Sequence, residues 1–69
     1  MTAQTIKHGP FAITYGAGVV LEHLPTCAEV HFAPGDDSAA FLDEFESAQE
    51  AAPMCSPAEI LSRLWWQYA

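Results

Sequence analysis

Basic residues are what this sequence lacks. Of its 69 residues only Lys7 and Arg63 are basic, against nine acids, for a net charge of -7. Nucleic-acid binding depends on Lys and Arg neutralising phosphates, so direct contact with DNA or RNA is disfavoured. Anionic membrane surfaces are disfavoured for the same reason. No apolar run approaches the length of a membrane span. Met1 to Pro10 contains neither an apolar stretch of the secretory kind nor a cleavage pattern. Cysteine is scarce too: Cys27 and Cys55 are the whole complement. With no secretory signal, the expectation is a reducing cytoplasm, with both thiols free and buried.

Apolar content is plentiful. Hydrophobic residues make up 51% of the chain, including four Phe, two Trp and two Tyr. That supports one packed core in a single domain over residues 1–69 and argues against disorder. A domain of this size buries only about 60% of its unfolded surface, so a deep catalytic cleft would remove much of that core. A binding role is expected rather than an enzymatic one.

The hydrophobic pattern changes period midway. Phe11, Ile13 and Tyr15 alternate with Ala12 and Thr14, and Ala28, Val30 and Phe32 alternate with Glu29 and His31. Period two predicts half-buried strands. Val19 to Leu24 reads as a further strand, and Thr5 to His8 as a short edge strand. Gly9-Pro10, Gly16-Ala17-Gly18 and Pro25-Thr26 supply the turns. These connections are too short for parallel crossovers, so residues 1–33 are expected to form an antiparallel meander of three to four strands.

After residue 35 the period becomes helical. Phe41, Phe45, Ala48 and Ala52, with Leu42 beside them, form one apolar stripe over residues 37–52. Ser38 is read as the N-cap, with Asp36 and Asp37 at the positive end of the helix. Ser56-Pro57-Ala58-Glu59 is a capping box with proline at the first helical position, opening a second helix over 57–68. Ile60, Leu61, Leu64, Trp65 and Tyr68 share its apolar face. Glu59, Ser62, Arg63 and Trp66 share the other. The expected class is α+β: a small antiparallel sheet with two helices packed on one face.

The acids are unevenly placed. Asp36, Asp37, Asp43, Glu44, Glu46 and Glu50 lie together with no basic residue among them. On a helix Asp43, Glu46 and Glu50 line one face, with neighbours roughly 4.5–6 Å apart along the axis. Phosphates on one DNA strand advance by about 3.4 Å, so a protein that grips phosphates with Lys and Arg could grip this row. Acids on a solvated face also favour solubility, and the helix dipole alone favours them near its N-terminus. Calcium-loop spacing is absent, and acids strung along one solvated face lack the distinct environments that acid–base catalysis needs. No metal or cofactor is expected. His8, His23 and His31 are not spaced as a ligand set, although His23 and His31 could meet across adjacent strands with Glu29 and Cys27 near by.

In size, acidity, α+β outline and the row Asp36, Asp37, Asp43, Glu44, Glu46, Glu50, the chain resembles the small phage-encoded inhibitors called anti-CRISPR proteins. The likeness is one of class and carries over no motif. It implies a DNA mimic that blocks a type I surveillance complex near its PAM-reading site, with a basic CRISPR effector subunit as partner. A competing expectation is a non-mimetic interaction module, antitoxin-like or an adaptor, that binds through Trp66 and apolar edges. The oligomeric expectation is a monomer or weak homodimer. An unpaired edge near Thr5 to His8 or Val19 to Leu24 would be available to another copy.

Overall fold

The computed structural model describes residues 3–68. Four strands and two helices follow one another: β1 (Gln4–His8), β2 (Phe11–Tyr15), β3 (Val19–His23), β4 (Ala28–Phe32), α1 (Asp36–Ala51) and α2 (Pro57–Tyr68). The strands form one antiparallel sheet in the order β1-β2-β3-β4. The expected α+β meander is therefore present, with four strands. Val19–His23 is an interior strand between β2 and β4, so it offers no edge. The free edges are β1 and β4.

Turn chemistry sets the registers. His8 pairs with Phe11, leaving Gly9-Pro10 as a two-residue loop. Gly9 has φ +60°. Pro10 fixes a negative φ at the second position, which leaves type II′, the turn whose twist suits a hairpin. At the β2–β3 turn Gly18 lies so close to β4 that an added Cβ would fall 2.4 Å from the Phe32 carbonyl oxygen. The β3–β4 turn ends in Cys27 at φ 58°, a left-handed conformation that a non-glycine residue adopts at a cost.

The pleat sorts the side chains. Phe11, Ile13, Val19 and Leu21 point to the inner face, where they meet Phe41 and Phe45 of α1 and Ile60, Leu61 and Leu64 of α2. Phe41, Ile13, Leu21 and Leu61 are the largest fully buried side chains. Both helices cover that one face. Phe32 stacks on Phe41 with ring centroids 4.4 Å apart, and Trp65 lies 6.0 Å from Phe11. The outer face carries Thr5, Lys7, Thr14, Val20, Glu22, Glu29 and His31. On it Ala12 is buried, set between Lys7 and Glu22 in the register.

Two local expectations need correction. Ser38 does not cap α1. The N-cap is Gly35 at φ 95°, without a side-chain cap. Ser38 sits inside the first turn, and its hydroxyl donates to the carbonyls of Ala33 (2.7 Å) and Phe32 (3.2 Å). An N-cap oxygen accepts from the helix. This one donates backward and ties α1 to the end of β4. The second correction concerns the cysteines. Both are free, but Cys27 is exposed and Cys55 half-buried. Cys27 lies in the β3–β4 turn, outside the packed inner face, and its thiol donates to the Leu24 carbonyl.

The start of α2 follows expectation more closely. The Glu59 amide donates to Ser56 Oγ at 3.3 Å. The Glu59 carboxylate takes the Ser56 hydroxyl at 3.5 Å, so the return arm of the box closes on the side chain.

Candidate functional site

The acid-rich helix begins with the charge pattern that its position rewards. Asp36 and Asp37 occupy the first turn, where no side chain caps the free amides. Each carboxylate there is stabilised by the helix dipole, by roughly 0.3–1 kcal/mol at an exposed site. These two acids therefore have a structural role as well as a surface one.

Further along, the hydrophobic stripe decides which acids face water. Phe41 and Phe45 are buried, and Leu42 and Ala48 pack against the core. Asp36, Asp43, Glu46 and Glu50 fall on the opposite side and are all exposed. Asp36, Asp43 and Glu50 are spaced by sevens. Successive members rotate by only about 20° and advance about 10.5 Å along the axis. Glu46 sits between the last two. The outer row thus runs the length of α1 and includes Asp36, because the helix starts there rather than after Ser38.

Glu44 stands apart from that row. With Asp37 it forms a second stripe turned toward α2, where the Tyr68 hydroxyl donates to the Glu44 carboxylate. Glu44 is half-buried and already has a partner. The same hydrogen bond raises the Tyr68 phenol above its ordinary pKa, with burial and the carboxylate charge adding to it. Sequence reasoning missed this contact because the two residues are 24 positions apart and no local pattern links them.

No Lys or Arg of the described residues pairs with the outer row. Among the described residues no Lys or Arg forms an ion pair, and the one such geometry joins Glu29 to His31 at 3.2 Å. That pair lies on the outer sheet face, away from α1.

Trp66 is 82% exposed, on the outward side of α2 with Glu59, Ser62 and Arg63. It does not fold back onto the sheet. Met54, in the loop between the helices, is also exposed.

The histidines separate. His23 lies on the inner face against Phe11 and Trp65, with ring centroids 5.0 and 5.5 Å away, and its Nδ1 is 2.8 Å from Thr26 Oγ1. His31 lies on the outer face opposite Val20. The pleat excludes a meeting of the two across adjacent strands: positions 23 and 31 project to opposite faces. Among the described residues no three His, Cys, Asp or Glu side chains gather as a metal site. A shallow recess of about 300 Å³ beside the β2–β3 turn is lined by Thr14, Val20, His31 and Pro34 among others. Its one titratable lining residue is His31. Among the described residues no helix is long and apolar enough to cross a membrane. No family model matches the chain, and neither does any curated protein or solved structure.

Proposed function

We propose that this domain is an inhibitor that presents the outer row of α1 to a basic, DNA-binding protein surface and occupies it in place of DNA. One observation carries the reading: Asp36, Asp43, Glu46 and Glu50 share a solvent face, and among the described residues no Lys or Arg pairs with them. Like charges at three- and four-residue spacing cost a helix a few tenths of a kcal/mol, and an intervening Lys would relieve that. A basic partner surface would relieve the same repulsion from outside the chain. The resemblance to anti-CRISPR proteins narrows the partner to a type I surveillance complex, with the acids set against the Lys and Arg that contact target DNA near the PAM site.

The test uses a purified type I complex and a labelled target duplex. The wild-type protein should block duplex binding at low salt and lose potency as salt rises. A triple variant, Asp43→Asn with Glu46→Gln and Glu50→Gln, should fold normally and lose the block. Full inhibition by the triple variant rejects mimicry. A wild-type protein without effect on such complexes rejects this partner class.

The exposure of Trp66 favours a second reading, a non-mimetic interaction module. There Trp66→Ala would harm binding more than the charge variant does, and salt would matter little.

A further inference from the structure

We propose that the free edge of β1 pairs with β1 of a second copy, in antiparallel register about Ile6, to make a continuous eight-stranded sheet. This inference is independent of the function proposed above.

The two free edges are not equivalent. β4 carries Glu29, is followed by Asp36 and Asp37, and has its central residue, Val30, partly covered. β1 contains no acid, no proline and no bulge, and it pairs with β2 over all five residues. It therefore lacks most of the devices that protect an edge from pairing. Ile6, at its midpoint, points to the inner face but is 39% exposed, because the core beneath the sheet stops short of it. It is the one large apolar strand residue left so open among the described residues.

A two-fold axis at Ile6 resolves these features together. Ile6 meets Ile6 of the second copy, and each covers the other. Gln4 faces His8 of the copy, and Thr5 faces Lys7. Lys7 is the one charged residue of β1, and lysine on an edge often discourages pairing. In this register the two Lys7 residues lie diagonally rather than opposite each other. They also bring positive charge to the seam between two chains that each carry -7. Moving the register by two residues would leave each Ile6 opposite a polar side chain.

The experiment is sedimentation equilibrium on the full chain across protein concentration and salt. The mass should rise toward two chains with concentration, and the association should strengthen with salt as repulsion between the copies is screened. That salt dependence is opposite in sign to the one expected for binding a basic partner, so the two proposals fail separately. Ile6→Lys should stay monomeric with an unchanged circular dichroism spectrum. Register is read by mild oxidation in a background of Cys27→Ser and Cys55→Ser. Ile6→Cys should cross-link, because directly opposed Cα atoms lie about 4.5–5.5 Å apart. Lys7→Cys should not, because its diagonal mate lies beyond the reach of about 7 Å. A single-chain mass under all conditions overturns the proposal, as does equal cross-linking at positions 6 and 7.

Discussion

The Tyr68 phenol donates a hydrogen bond to the Glu44 carboxylate, joining the end of α2 to the middle of α1. Tyr68 also meets Phe32 and Phe41 edge-on, at 5.1 and 5.9 Å, so one residue closes the sheet and both helices together. Because the phenol is held protonated, its folded pKa is raised. The contribution is complete below the unfolded tyrosine pKa and is lost as pH climbs through the folded one. Alkaline titration of stability should therefore fall more steeply for wild type than for Tyr68→Phe. Parallel denaturant curves on both sides of the ordinary tyrosine range will show this.

Ser38→Ala should destabilise the domain by about 1 kcal/mol. The hydroxyl is buried and donates to two carbonyls at the β4–α1 junction. Ser38→Asp, which would suit a true N-cap, should be worse, since a carboxylate there faces the oxygens of Phe32 and Ala33. The order wild type, Ala, Asp in urea midpoint checks the donor role.

Neutralising Asp43, Glu46 and Glu50 should leave stability unchanged or raise it by a few tenths of a kcal/mol, because repulsion along the helix is relieved. Neutralising Asp36 and Asp37 should lower it, by roughly 0.3–1 kcal/mol per residue. Thermal melts at low ionic strength separate the two sets.

Cys27→Gly should stabilise the fold by about 0.5 kcal/mol. Release of the left-handed strain at φ 58° outweighs the added freedom of the unfolded chain. The variant also removes the exposed thiol, so denaturation is best compared under reducing conditions.

Ile13→Ala should cost about 2–5 kcal/mol. Ile13 is fully buried at the centre of the inner face, and a domain of this size has little stability in reserve. Loss of a cooperative unfolding transition at room temperature is the expected observation.

Much of the architecture was legible in the sequence because each element carries its own signal. Phe11-Ile13-Tyr15 and Ala28-Val30-Phe32 display the strand period, and Gly9-Pro10 forces a tight hairpin. The Ser56-Pro57 pair marks the start of α2. Contacts between distant elements were not legible. Ser38 is a good cap by type, and only the position of Gly35 and the nearby end of β4 turn it into a backward donor. That misplacement left Asp36 outside the helix and hid the spacing by sevens to Asp43 and Glu50. The face of each histidine depended on strand register, which local pattern fixes only once the hairpin loops are known. The acidic surface was visible as a cluster, but the division between the outer row and the Tyr68-bound Glu44 needed the packing of α2.

Beyond its first turn, the outer row of α1 makes no contact on which the fold depends. Substitutions at Asp43, Glu46 or Glu50 are thus almost free of folding consequences, whereas Phe41 and Phe45 one turn away are not. A surface of this kind can drift, residue by residue, while the scaffold beneath it stays constant. Glu44, tied to Tyr68, is the position on this helix where such drift would meet resistance.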